Sequence, residues 1–337
     1  MLFRSKAQKT WKRKRLNMSV NNDSNITDEE LDEEESFASD RTGAFILYGL
    51  LSCFIVIANS LVLLLIWRKR RLRTTSNLML TSLAGSDLLT GLLAVPMVIA
   101  CSATLQLEVC VAMDISNRFL AFSSVGHLIL LSIDRYIRVT KMLQYPSIVT
   151  EERVGRALGS VWILALLASL VQLTWLLPSL QDNTLIHIEL SYDFFGMAVL
   201  VVLPLLLMGA VYTKIFVQLR RQSNEIHSEL SGGRSSSRVN AGRRAVNEKK
   251  IASLFIAMIA VFIFGLFFYF LWAIMDDLEV LGLHDISQNN MNIIVISITF
   301  FRFLTALCNP LLYTFIKQDF LDALKSFGRG LRDSQRV

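Results

Sequence analysis

The sequence predicts an all-α membrane protein: a seven-transmembrane helix bundle with a short amphipathic helix after the seventh span. Two observations predict it. Gly43 to Trp67, Ala157 to Leu180, Phe194 to Tyr212 and Ile251 to Met275 contain no Asp, Glu, Lys or Arg. At about 1.5 Å per residue each crosses, or nearly crosses, a hydrocarbon layer of about 30 Å. Three further spans are apolar with isolated charges: Asn77 to Cys101 with Asp87, Val109 to Val139, and Asn289 to Ile316 with Arg302. The second observation is that the segments between spans fall into two sets by charge. Helices follow, because lipid satisfies no exposed backbone group and the spans are too long for barrel strands.

The charge split orients the bundle. Arg68 to Arg73, Lys141 to Arg156 and Arg220 to Lys250 are basic, whereas Ser102 to Glu108, Gln181 to Tyr192 and Asp276 to Gln288 hold no Lys or Arg. The positive-inside rule places the basic set in the cytoplasm, hence the N-terminus outside and the C-terminus inside. A plasma-membrane, multi-pass protein is expected. Glycosylation acceptors N-x-S/T at Asn17, Asn22 and Asn25 agree with an outer tail. The basic block Arg4 to Arg15 lies far from the first span, where the rule weakens, and Met18 is an alternative start that would remove it. The chain therefore divides into a disordered extracellular tail (1–42, with the acidic run DEELDEEES), the bundle (43–316), and an amphipathic helix with a short cytoplasmic tail (317–337). The net charge of +6 does not signal nucleic acid, because the basic residues flank spans. Four cysteines with no nearby histidine cluster exclude a structural zinc site.

Along the third span Asn117, Ala121, Ser124, Leu128, Leu131 and Arg135 form one stripe at helical spacing, facing inward. The span ends in Asp134-Arg135-Tyr136, charges expected at a water interface with Glu248, at the inner start of span six, as a second partner for Arg135. Asp87 falls near mid-membrane, where an acid is costly and points to function. Its expected neighbours are Ser124 and Asn309. Pro204 and Pro310 interrupt the hydrogen-bond ladders of spans five and seven and make bends there. His127 reads as a packed or hydrogen-bonded structural histidine. Phe320, Leu321, Leu324 and Phe327 mark the amphipathic helix on the inner leaflet.

The landmarks fall one per span: Asn59; LAGSD ending at Asp87; Cys110 and then Asp134-Arg135-Tyr136; Trp162; Pro204 with Tyr212; Glu248 with Phe262; and NPLLY, Asn309 to Tyr313, followed by Phe320. From Ala44 to Phe327 the chain resembles a rhodopsin-like (class A) G-protein-coupled receptor. The resemblance implies an extracellular ligand, a heterotrimeric G protein as partner, and no enzyme activity. It implies that Arg135 leaves its resting partners on activation while Tyr212 and Tyr313 swing inward, and that Leu143 touches the G protein. It also implies a sodium ion at Asp87, Ser124 and Asn309 in the resting state. The alternative is a polar cluster without an ion.

Three departures qualify the resemblance. The outer loop Gln181 to Tyr192 has no cysteine to bridge to Cys110, which leaves a Cys101–Cys110 bridge or a free thiol. In span six Leu266 and Phe268 stand where the family keeps a tryptophan and a proline, so a receptor fold acting constitutively, or by pairing with other receptors, is the second reading. Asn117 stands where amine receptors keep an aspartate, and Phe303 where opsins keep a lysine, which disfavours both ligand classes. The buried arginines Arg118 and Arg302 need partners. One assignment pairs Arg118 with Asp114 and Arg302 with Asp87. The other is a ligand carrying a carboxylate or phosphate, held by one or both guanidiniums, in a site with Asn117, Ala121, Tyr269 and Thr299. A transporter is disfavoured by the lack of repeated halves. An enzyme is disfavoured by the lack of paired intramembrane carboxylates or a G-x-S-x-G motif.

Overall fold

A computed structural model describes residues 28–176, 182–230, 236–280, 288–316 and 319–326. Every regular element among them is helical. Seven helices are long and apolar enough to cross a membrane. The first, α1, runs Asp28–Arg68. It thus begins inside the acidic run that composition assigns to a disordered tail; Glu and Leu are good helix formers, and acids suit a helix N-terminus. A second span, α2, covers Thr75–Thr104. Its N-cap is Thr74, whose side chain accepts from the Asn77 amide. α3 is Leu107–Thr140. α4 begins at Glu151 and runs Glu151–Leu170, with Thr150 as N-cap and Glu151 and Glu152 in the first turn. α5 is built from Asp182–Met197, Ala198–Val202 and Leu203–Leu230. α6 is Ser236–Val280 and α7 is Gln288–Ile316. A short α8 occupies 319–326.

Burial is inverted relative to a water-soluble bundle. Phe54, Ile57, Ile163, Leu164 and Leu206 are exposed on the outer surface, where lipid solvates them as well as protein does. Asn59, Ser86, Asp87, Asn117, Ser124 and Asn309 are buried inside. α3 is the most enclosed span, with 61% of its most apolar stretch buried, against 22% for α4. Side-chain hydrogen bonds therefore join the helices. Asn59 Nδ2 donates to Ala306 O at 3.2 Å, tying α1 to α7. Trp162 Nε1 on α4 donates to Ser82 Oγ on α2 at 3.0 Å. Ser82 and His127 Nε2 on α3 lie 2.7 Å apart, and His127 Nδ1 lies 2.6 Å from Ser123 O. One tautomer satisfies this chain: Nδ1–H donates to the carbonyl and Nε2 accepts from the Ser82 hydroxyl. His127 is thus the structural histidine expected.

Two π turns have no signature in the spacing of the sequence. One is Thr90–Ala94, before Pro96; the other is Ala198–Val202, before Pro204. A proline ring clashes with the carbonyl four residues earlier, and here that carbonyl falls within the widened turn each time. α7 instead runs as one helix through Pro310.

α2 ends at Leu105, whose φ of 52° is the sole positive value at a non-glycine residue among the described residues. Cys101 and Cys110 flank this turn and are disulfide-bonded, with Cα atoms 4.8 Å apart. A leucine in the left-handed region carries a Cβ penalty of about 1 kcal/mol. Leu105→Gly is expected to raise the melting temperature of the purified protein by a degree or two; a fall would show that the leucine side chain matters more than the backbone. At the inner end, Leu72 is buried after α1, and Arg71 pairs with Asp319 of α8 at 3.3 Å. Of the expected apolar face, Phe320 is buried and Leu321 and Leu324 are half-buried, while Asp319 is exposed; Phe327 lies outside the described residues.

Candidate functional site

Three polar layers line the inside of the bundle. The outer layer joins α3, α4 and α5. Arg118 Nε donates to Asp114 Oδ2 at 3.0 Å, one helical turn away. Arg118 Nη2 lies 2.7 Å from Asp193 Oδ1 on α5, and the Tyr192 ring covers the guanidinium at 4.6 Å. With its amide nitrogen toward α3, Gln172 donates to Asp114 Oδ2 at 2.9 Å. Both Arg118 and Asp193 are buried. The Asp114 partner matches the spacing. Asp193 and Gln172 are additions, because nothing in the sequence sets the rotation of α5 and α4 against α3.

Beside this layer lies Arg302 of α7. Its guanidinium donates to Asn117 O at 2.8 Å and stacks on Tyr269 at 4.2 Å. The expected pair with Asp87 does not form, and among the described residues Arg302 has no carboxylate partner. The Tyr269 face and the Asn117 carbonyl hold the guanidinium instead.

In the middle layer Asn309 Nδ2 donates to Asp87 Oδ2 at 3.0 Å. Ser124 Oγ is 3.2 Å from Ser86 Oγ. A cavity of about 30 Å³ runs between the two layers. Its wall includes Asp87, Asn117, Ala121, Ser124, Phe262 and Arg302. Sequence reasoning keeps a ligand site apart from a polar core; the structure joins them in one cavity. Leu266 lines it as well, at the position where the family keeps a tryptophan. Arg118, Tyr269 and Thr299 are not on this wall. Arg118 is enclosed by its acids, Tyr269 lies behind Arg302, and Thr299 lies about one turn before Arg302 on α7.

The inner layer is the mouth of the bundle. Asp134 accepts from Arg135 Nη2 at 2.6 Å and Nε at 3.1 Å, from Ser76 Oγ at 3.0 Å, and from the Tyr145 hydroxyl. Arg135 also donates to Ser76. The pair is expected at a water interface, yet Asp134 is 1% and Arg135 4% exposed. The N-terminal turn of α2 and the short helix Tyr145–Ile148 cover it. Burial and its bond to Asp134 push the Tyr145 phenol up, so it stays a donor at neutral pH. Tyr136 is half-buried, and Tyr212 and Phe262 are buried in the same inner core. Leu143 is 96% exposed on the inner loop. The side chains of Glu248 and Tyr313, and the whole of Asn17, Asn22 and Asn25, lie outside the described residues.

The chain is similar to the histamine H2 receptor of Canis lupus familiaris, 27% identical over 287 residues that cover 81% of this chain and 76% of that receptor. It is similar to trace amine-associated receptor 7a of Mus musculus, 27% identical over 312 residues, 86% of this chain and 84% of that one. It is 31% identical over 206 residues to the alpha-1A adrenergic receptor of Rattus norvegicus, covering 57% and 43%. Residues 58–313 match the family described as 7 transmembrane receptor (rhodopsin family). The chain belongs to the rhodopsin family of seven-transmembrane receptors. It is a multi-pass membrane receptor of that class.

In this receptor the disulfide of Cys110 runs to Cys101 at the end of α2. Near its outer end α3 meets α5 through the Arg118–Asp193 ion pair. Gly265, in the altered stretch of α6, packs against α7. A Cβ there would meet Thr305 at 2.8 Å and the Arg302 Cα at 3.3 Å. Glycine at this position lets α6 and α7 approach closely beside the Arg302 cavity.

Proposed function

We propose that this receptor answers an extracellular ligand bearing a carboxylate or phosphate group and passes the signal to a heterotrimeric G protein through its cytoplasmic helix ends. One observation carries the ligand class. Arg302 is a buried guanidinium that donates to the Asn117 backbone carbonyl and has an aromatic face as its other neighbour. A guanidinium offers five donors, and leaving most unused at that depth is costly. A planar anion accepting two of them relieves that cost. Asn117 lies on the same wall, and its side-chain amide can offer an N–H to such an anion. The named relatives are receptors for amines by title. Here the position that resembles their aspartate is the neutral Asn117, and the nearby acids Asp114 and Asp193 are engaged by Arg118. An amine entering this cavity would meet the Arg302 guanidinium before it reached Asp87, which lies deeper on the same wall and already accepts from Asn309.

The charge split of the loops supports an outer N-terminus, and the exposed Leu143 on a basic loop supports a G-protein contact at the inner face. The test is G-protein activation in cells across a panel of carboxylates, phosphates and amines. An anion is expected to be active. Arg302→Gln should lower its potency about 10- to 100-fold at equal surface expression, as lost charge-assisted hydrogen bonds would. An amine agonist whose potency survives Arg302→Gln overturns the reading.

A second reading, signalling without a small ligand, either constitutively or through pairing with other receptors, has its own observation. The cavity of about 30 Å³ has room for only a water or two. High G-protein activation in untreated cells that no member of the panel moves would favour it.

A further inference from the structure

We propose that Arg302 is the resident cation of the Asp87 cavity and that this receptor therefore takes no sodium there. The oxygens alone would suit a hard cation. Asp87, Ser124 and Asn117 all line the one cavity and carry side-chain oxygens, and hard cations prefer oxygen donors. The charge does not suit it. Arg302 lines the same cavity of about 30 Å³, so a sodium ion at Asp87 would face a guanidinium across a gap of a water or two. The guanidinium cannot lose its proton to relieve the repulsion. Nor can it swing away easily. It is held by the Asn117 carbonyl at 2.8 Å and by the Tyr269 ring at 4.2 Å, and Gly265 brings α6 against its own Cα. The other intramembrane acids beside it are taken, since Arg118 bridges Asp114 and Asp193. Asp87 also spends one oxygen on the Asn309 amide, a donor that a cation would have to displace or share. Arg302 thus supplies, from α7, the positive field that a diffusible ion would otherwise bring to Asp87.

This inference does not need a ligand, and its test uses none. The full-length receptor is purified in detergent, and its melting temperature is compared in sodium chloride and choline chloride at equal ionic strength. The wild type is expected to melt within about one degree in the two salts. Arg302→Gln, which keeps a polar planar group but removes the charge, is expected to gain a sodium-specific rise of several degrees. Arg302→Gln with Asp87→Asn should lose that rise, and Arg302→Lys, which keeps the charge, should not acquire it. A sodium-specific rise in the wild type that Asp87→Asn abolishes overturns the proposal. So does an Arg302→Gln protein that folds and stays indifferent to sodium. If Arg302→Gln does not accumulate, Arg302→Met, which also removes the charge, is read in its place with the same two outcomes.

Discussion

Arg118→Met is expected to be the most disruptive single substitution in the membrane interior, removing most receptor from the cell surface. Arg118 bridges Asp114 on its own helix and Asp193 on α5, and both it and Asp193 are buried. Methionine fills the volume but removes the guanidinium that Asp114 and Asp193 share. Breaking one buried pair by removing a partner costs about 3–5 kcal/mol, and here two acids lose the same partner, so the upper end applies. That is a large fraction of the stability of an ordinary domain. The triple variant Arg118→Met, Asp114→Asn, Asp193→Asn removes all three charges and is expected to recover much of the loss, since the penalty lies in unpaired charge and not in the missing bridge itself. Surface expression and detergent melting temperature measure both. If Arg118→Met melts like the wild type, the outer layer is not what holds α5 to α3. The expectation has added weight because the disulfide of Cys110 ties α3 only to α2.

Arg135 and Asp134 carry the second large effect, on signalling. Asp134 gathers Arg135, Ser76 and Tyr145 into one buried group at the inner mouth. Asp134→Asn keeps the shape and weakens the charge-assisted bonds, a loss of about 2 kcal/mol to the closed state. A two-state equilibrium then shifts about 30-fold toward the form in which Arg135 is free. Basal nucleotide exchange on a co-expressed G protein should rise accordingly, at matched surface expression. Arg135→Ala should instead abolish both basal and stimulated exchange, if Arg135 is the group that reaches the G protein as the resemblance implies. Basal exchange unchanged in Asp134→Asn would mean that the inner mouth is not a closed lock in this receptor.

The features legible in the sequence are those set by position along one helix. Asp114 and Arg118 are four residues apart, so they meet on any straight helix. Asp87 and Asn309 fall at one depth by counting from the span ends, and they do meet. What counting along a helix leaves open is rotation and reach. Depth and facing alone point Arg302 to Asp87. Its long side chain instead turns to the Asn117 carbonyl and the Tyr269 ring, and nothing in the spacing chooses between those partners. The π turns before Pro96 and Pro204 add a residue to the turn and so rotate the outer halves of α2 and α5, a shift that no uniform helical period contains.

The number of spans and the family follow from the chain read in order. Spans depend on hydrophobic length, and the family shows in single landmarks, such as Asp134-Arg135-Tyr136, at set places along them. Which charges meet is a matter of packing. The inner Asp134–Arg135 pair is dry because α2 and the Tyr145 helix fold over it, and Arg118 is neutralised because α5 brings Asp193 to it. Arg302 shares a cavity with Asp87 without pairing with it, with Leu266 on the same wall and Gly265 of α6 close against α7. Intramembrane charge is governed by the few ångströms between helices, and those distances come from packing three or four helices at once.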